Sequence, residues 1–341
     1  MTPEVAVIGG GSWGTALAIH LGNKGLPVDL WVWESDLAQS MQTTGENRLF
    51  LPGFRLPDIV NPVNDLRDAV QSKKIIVLVT PSHVLGSIAR SLRPHLAPNA
   101  IIVNASKGLE EETLLPASQV IQRELVSKFP LVTLSGPTFA KEVANKVLST
   151  IVVASENPGA AETVQQIFST DTLRVFTSTD VLGVEIGGSL KNVIAIAAGI
   201  CDGLELGNNT RAGLITRGLV EISRIGTAMG ARAETFYGLS GLGDLVLTCT
   251  GDLSRNRMVG IKLGQGDKLK DIIENMKMVA EGIKTVKSAF TLKEKFGIQA
   301  SIIEQTYRVL YEDKEPGRAL ADLMKVETGS EFSGVRGLDE A

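Results

Sequence analysis

Two lysines stand where basic side chains are not expected. Lys191, in "GGSLKNVIAIAAGI", interrupts an apolar helical run, and Lys107, in "NASKGLE", follows a buried-type strand. Gly187, Gly188 and Ser189 lie about one turn before Lys191 and leave room beside it. A lysine against an apolar run loses hydration, and a second ammonium nearby acts in the same sense. Both effects lower a lysine pKa towards the range useful for proton transfer. Such groups suit a reaction in which negative charge develops on an oxygen. Two further stretches suit an anionic reactant. "LSGLGDLVLTCTGDLSRNR" sets Asp244 after a glycine-rich turn and Ser254, Arg255 and Asn256 at a helix start, where N–H groups and a guanidinium fork match a phosphate monoester. "SGPTFAKE", residues 135–142, is a strand-end turn of the kind at which open α/β sheets bind ligands. The histidines are poorer acid–base candidates: His20 is mid-helix, His83 sits in "TPSH" past a strand, and His95 lies in a Pro-flanked loop.

A second chemistry is written in "VAVIGGGSWGTALA", residues 5–18. Gly9, Gly11 and Gly14 form G-x-G-x-x-G directly after an apolar strand and directly before a helix that has Gly25 past its end. In that setting glycines permit the tight turn, admit a pyrophosphate to the backbone N–H groups and bring helix and strand together. The stretch therefore predicts a dinucleotide site. Glu34, at the end of the second strand, is placed to accept hydrogen bonds from the adenosine ribose, which favours NAD over NADP, and Trp33 beside it either stacks on the adenine or simply packs.

These residues need a frame. Before residue 180, apolar runs at 4–9, 28–33, 74–79, 100–105, 131–135, 149–154 and 173–177 alternate with helical patterns, which predicts a parallel sheet covered on both faces. After it the pattern is helical, over roughly 183–202, 209–229, 254–264, 280–296, 300–312 and 316–325. The expected class is α/β: an N-terminal Rossmann-type, doubly wound sheet over 1–179, then an all-α substrate domain over 180–341. The last stretch, "VETGSEFSGVRGLDEA", lacks periodicity and is expected to fray.

Composition excludes other classes. A net charge of −4, with 34 Lys and Arg spread along 341 residues, gives no footprint for nucleic acid. Cys201 and Cys249 are too few for a disulfide framework or a thiolate zinc site, and their apolar neighbours predict buried thiols and no metal. The N-terminus shows no signal-peptide pattern and no apolar run approaches about 18 residues, so the expectation is a cytoplasmic protein without membrane insertion.

In order and spacing, "GGGSWGTALA", "NASKGLE", "SGPTFAKEVA", "GVEIGGSLKNVIAIAAG", "ITRGLVEISRIG", "GLSGLGDLVLTCT" and "LSRNR" resemble the bacterial type of NAD(P)-dependent glycerol-3-phosphate dehydrogenase, from about residue 4 to 325. The resemblance implies reduction of dihydroxyacetone phosphate to sn-glycerol 3-phosphate for phospholipid synthesis. It implies Lys191 as proton donor and acceptor, assisted by Lys107 and Asp244. It places Lys107, Gly136, Thr138, Lys191, Asp244, Ser254, Arg255 and Asn256 at the substrate. With Gly9, Gly11, Gly14, Trp33 and Glu34 read above from the residues themselves, it places Ser12, Trp13, Lys107, Ala140, Arg255, Val279 and Glu281 at the cofactor. The expected partner is a small phosphorylated molecule, and the expected assembly a homodimer.

The chain departs from the family pattern at the second strand end, where "LWVWES" has Trp33 in place of a basic residue that could meet a 2′-phosphate. It also has Ser240 where Ala is common, a change expected to be neutral. Two rival readings share part of the pattern. A β-hydroxyacid or 6-phosphogluconate-type dehydrogenase would leave "GLGDLVLTCT" and "SRN" without a purpose. A non-enzymatic NAD-binding regulator would have no use for Lys107, Lys191, Asp244 and Arg255 together.

Overall fold

A computed structural model describes residues 5–126, 129–276, 280–326 and 329–338. Val279, assigned above to the cofactor, lies outside the described residues. The chain divides into two compact units, one running through Glu110 and resuming over Leu115–Val181, the other comprising Glu111–Leu114 and Leu182–Ala341.

The first unit holds strands β1 (Val5–Ile8), β2 (Val28–Trp31), β3 (Val60–Val63), β4 (Ile75–Leu78), β5 (Ile101–Asn104), β6 (Leu131–Ser135), β7 (Ser149–Ala154) and β8 (Leu173–Ser178) in the order β3-β2-β1-β4-β5-β6-β7-β8. Its helices are α1 (Ser12–Asn23), α2 (Ser35–Thr44), α3 (Leu66–Val70), α4 (Ser82–Leu92), α5 (Ala117–Leu125), α6 (Ala140–Ala144) and α7 (Pro158–Phe168). Period-two burial sorts each strand between two cores. Val5, Val7, Ile75 and Val77 pack with α1 on one face, while Ala6, Ile8, Ile76 and Leu78 pack with α4 and α5 on the other. The sheet is therefore doubly wound, and the chain order reverses between β1 and β4, the position at which such sheets bind ligands.

The sheet departs from expectation in two places. β3 has no counterpart among the apolar runs, because "VNPV" carries Asn61 and Pro62; as an edge strand it tolerates a proline that cannot donate to the ladder. β6 and β7 pair antiparallel. The link between them contains only the five-residue α6.

The second unit contains α8 (Val181–Gly203), α9 (Gly207–Ala228), α10 (Asp244–Thr250), α11 (Arg255–Gly264), α12 (Leu269–Glu274), α13 (Gly282–Phe296), α14 (Ser301–Tyr311) and α15 (Pro316–Leu323). The six helical patterns are present, with the short α10 and α12 added. By length and mean hydropathy α8 could cross a membrane, against the expectation that no run comes near that size. It is the core helix of its unit, with 89% of its most apolar window buried. Part of the last stretch, expected to fray, is held against α9. Arg217 Nη1 and Arg224 Nε donate to the Glu331 and Ser333 carbonyls at 2.5 Å each, and Val335 is fully buried against Val220 and Ala233. Residues 331–335 are thus held by two arginines of α9.

Candidate active site

In the sheet unit the glycine loop follows β1 at the reversal point. Each glycine has its own reason. Gly9 has φ +128°, and a Cβ there would fall 2.5 Å from the Val79 carbonyl oxygen; a Cβ on Gly14 would fall 1.9 Å from the Gly9 oxygen. These two let strand, loop and helix close up. Gly11 is different: its φ of −70° is open to any residue, and a Cβ on it would meet no protein atom within 4 Å. What it keeps clear is space outside the protein at the N-terminus of α1, which fits the pyrophosphate of a dinucleotide. The loop is held from outside by a residue that the sequence reading missed. Asn47, fully buried, donates from Nδ2 to Gly10 O at 2.7 Å and to Thr15 Oγ1 at 2.8 Å, while its Oδ1 accepts from Phe50 N at 3.0 Å. Ser12 Oγ donates to Phe50 O at 2.6 Å, and Trp13 packs against the same core as Ala140, the first residue of α6.

Glu34 is the N-cap residue of α2 but makes no capping bond, so its exposed carboxylate is not taken up by the helix. Trp33 is 72% exposed, with its ring edge-on to Trp31 at 5.9 Å. Lys107, half-buried beyond β5, donates from Nζ to Gly136 O at 3.5 Å, and Thr138 Oγ1 donates to the same carbonyl at 3.3 Å. Gly136, at φ +142°, has Ile151 Cα 2.9 Å from the position of a Cβ, so packing alone demands glycine there. His20 is structural: its Nε2 lies 2.8 Å from Phe168 O, and burial pulls its pKa down.

In the helical unit Lys191, 6% exposed on α8, donates from Nζ to Asp244 Oδ1 and, at 2.9 Å, to Thr248 Oγ1. Asp244 is fully buried at the first position of α10. The approach depends on Gly187, whose Cβ would lie 2.9 Å from the Ser240 carbonyl oxygen; a side chain there would drive the Leu239–Gly243 turn, and Asp244 with it, away from α8. Thr248 was not singled out from the sequence. It lies one turn after Asp244 on the same face, and its hydroxyl donates to Asp244 O at 2.6 Å, leaving a lone pair for the ammonium. Asn192 was also missed. Its Oδ1 accepts from Asn256 Nδ2 at 2.9 Å, and Asn256 Oδ1 accepts from Gly282 N at 3.0 Å.

Ser254 is the N-cap of α11, its Oγ accepting from Arg257 N at 3.2 Å, and Arg255 is the first helical residue. Desolvation lowers the Arg255 pKa, opposed by the charge of Glu281 at the start of α13. The side chain keeps solvent access and stays a cation. Cys201 and Cys249 are buried thiols whose pKa values burial pushes up to about 11 and about 12, which leaves them unreactive.

Known proteins match this chain along most of its length. Residues 4–161 match the model for the N-terminus of NAD-dependent glycerol-3-phosphate dehydrogenase, and residues 180–321 match the model for its C-terminus. The chain belongs to the NAD-dependent glycerol-3-phosphate dehydrogenase family. A protein of Syntrophotalea carbinolica named glycerol-3-phosphate dehydrogenase, NAD(P)+, is 52% identical over 324 residues, covering 94% of this chain and 97% of the relative. One of the same name in Geobacter sulfurreducens is 52% identical over 328 residues, covering 95% and 97%. The crystal structure of glycerol-3-phosphate dehydrogenase from Coxiella burnetii superposes with a TM-score of 0.92 at 37% identity, covering 95% of this chain and 99% of that one. A ketopantoate reductase from Ralstonia eutropha, at 16% identity and a TM-score of 0.58, shares the fold alone. The chain is thus an NAD(P)-dependent oxidoreductase acting on the CH–OH group of a small phosphorylated substrate, and the rival readings as a β-hydroxyacid dehydrogenase or a non-enzymatic regulator fall away.

Proposed function

We propose that this dehydrogenase reduces dihydroxyacetone phosphate to sn-glycerol 3-phosphate with Lys191 as the group that gives the substrate oxygen its proton and, in reverse, takes it back. The observation that carries the assignment is the burial of Lys191 Nζ against Asp244 and Thr248, which fixes one ammonium in a buried helical core. When bound, the reduced nicotinamide supplies the hydride that the carbonyl carbon takes up. Lys191 meets the negative charge that then develops on the oxygen, and its proton completes the alcohol. Asp244 and Thr248 fix the direction of that ammonium. Ser254, Arg255 and Asn256 hold the phosphate at the start of α11, which orients the carbonyl.

On the sheet unit, Lys107, Gly136 and Thr138 contribute to the substrate side. The cofactor is held by Gly9, Gly11, Ser12, Trp13 and Gly14, with Ala140, Arg255 and Glu281 as further contacts. Glu34 would repel a 2′-phosphate, and Trp33 brings no cation to offset that repulsion, so NADH is the preferred coenzyme. The domain border is taken at 179/180, and the product is directed to glycerophospholipid synthesis. The reading also carries a cytoplasmic location and a homodimer, the second of which sedimentation of the purified chain tests. The reaction itself is tested by following NADH oxidation with dihydroxyacetone phosphate. Turnover supports the reading, and its absence with this substrate would reject it.

A further inference from the structure

A phosphate site at Ser254–Asn256 is useful only if α11, which carries it, keeps one register on α8, which carries Lys191. The two helices meet backbone to backbone. A Cβ would fall 2.0 Å from Arg257 O on Gly199, 2.2 Å from Ile261 O on Gly203, 2.0 Å from Ile196 O on Gly260 and 2.6 Å from Ile200 O on Gly264. All four are far inside van der Waals contact, so any side chain along this seam forces the helices apart. A seam of glycines sets how close two helices lie, but it offers little grip against sliding or rotation.

The grip comes from two neighbouring polar residues in the first turn of α11, Asn256 and Arg257, which reach different points along α8. Near the N-terminus of α11, Asn256 is tied to Asn192, the neighbour of Lys191, by the 2.9 Å bond already described. At the C-terminal end of α8 stands Asp202. Its Oδ2 accepts from Arg257 Nε at 2.7 Å and its Oδ1 from Arg211 Nη1 of α9 at 2.8 Å, so one carboxylate braces three helices. The Arg257 and Asp202 side chains are only 13% and 14% exposed, which shields the pair from the screening that makes surface ion pairs weak. Arg257 also reaches Asp252 with Nη1 at 2.9 Å, and its backbone N–H is the one that Ser254 Oγ caps. The same residue therefore anchors both the helix and the turn that precedes it.

We infer that Asp202 and Arg257 are positioning residues for the phosphate end of the substrate, their ion pair locking the α8–α11 glycine seam so that Ser254–Asn256 stand at a fixed place relative to Lys191. The inference rests on the reading of Ser254–Asn256 as the phosphate site. The two are separated by comparing Arg255→Ala, which removes the proposed phosphate contact itself, with Asp202→Asn and Arg257→Lys, which leave that contact intact and loosen its support.

Steady-state kinetics of the purified full chain with dihydroxyacetone phosphate and NADH, together with thermal melting, makes the test. Arg255→Ala is expected to raise KM for dihydroxyacetone phosphate about tenfold or more. Asp202→Asn, nearly isosteric, is expected to raise the same KM about threefold or more while KM for NADH stays at the wild-type value, because misplacement of a binding group is felt at the group it serves. Arg257→Lys, which keeps the charge but not the fork, is expected to fall between wild type and Asp202→Asn. If Arg255→Ala raises KM and the other two variants leave it unchanged, the positioning role is overturned while the phosphate assignment stands. If Arg255→Ala leaves KM unchanged, the phosphate assignment fails and takes the inference with it. If Asp202→Asn lowers the melting midpoint with both KM values unmoved or moving together, the pair serves stability alone and the inference is overturned. Should Asp202→Asn not fold, Arg257→Lys decides between the same outcomes.

Discussion

In the sheet unit the loop Gly9–Gly14 would build its candidate site from backbone, whereas in the helical unit Lys191, Asp244, Thr248 and Ser254 would build theirs from side chains on three helices. The first needs residues to be absent, so that N–H groups and a helix end can be approached. The second needs charges inside a core, each with its partners. Damage should differ accordingly. A methyl group suffices to spoil the backbone site, while the side-chain site should keep its shape and lose only its chemistry when one functional group is removed.

The largest effect is expected where the loop is tightest. Gly14→Ala puts a Cβ 1.9 Å from Gly9 O, so the loop must open, and both NADH binding and the melting midpoint should fall sharply. Gly11→Ala meets no protein atom within 4 Å, so it should melt like wild type and yet bind NADH at least about tenfold more weakly, because only the ligand feels the methyl. Titration of NADH by fluorescence, beside thermal melts of both variants, checks the pair. Equal NADH affinity for Gly11→Ala and wild type would refute the role given to that glycine.

The difference between the units also explains what could be read in advance. The glycine loop is contiguous, and its spacing between an apolar strand and a helix exposed it at once. Lys191 was legible because an ammonium interrupts an apolar helix. Its partner Thr248 was not, although the i, i+4 spacing from Asp244 is a usable signal once α10 is known to be a helix. Asn47 gave no signal, since a loop asparagine is common and its burial arises from tertiary packing. The strand β3 was hidden by Asn61 and Pro62, and the apolar run of β7 carries no mark of its antiparallel pairing with β6. The hold on Glu331 and Ser333 was missed because Arg217 and Arg224, more than a hundred residues earlier, take their carbonyls.

For the side-chain site, Thr248→Val removes the hydroxyl that bridges Lys191 and Asp244 while nearly keeping the volume. It should lower kcat by about tenfold with KM for NADH unchanged, the loss of one hydrogen bond to a charged group being worth roughly 1.5–3 kcal/mol. Equal losses in kcat and NADH affinity would show that the two units do not divide the work as described.

Coenzyme choice tests the sheet unit by charge. Wild type should show a higher kcat/KM with NADH than with NADPH, and Trp33→Arg combined with Glu34→Ser should move the ratio towards NADPH. A wild-type preference for NADPH would mean that Glu34 does not face the ribose.

A smaller effect belongs to the helical core. Glu221 of α9 is buried and accepts from Ile302 N and Ile303 N at 2.8 and 3.0 Å, and desolvation pushes its pKa up to about 7 despite those bonds and the charges of Arg224 and Arg217. The folded chain therefore holds this proton more tightly than the unfolded chain, whose glutamate titrates near its ordinary value of about 4.3. Its contribution to stability is fully present below the unfolded pKa and is lost as pH rises through about 7. Glu221→Gln should flatten the fall in melting midpoint between about pH 5 and pH 7. An unchanged slope would place the proton elsewhere.

The central claim is that Lys191 moves the proton, and Lys191→Ala measures it. Turnover of dihydroxyacetone phosphate should fall by roughly 10²- to 10⁴-fold while the dissociation constant for NADH stays at the wild-type value, because the lysine acts on the substrate oxygen and the glycine loop is untouched. A variant that keeps more than about a tenth of the wild-type rate would contradict the assignment.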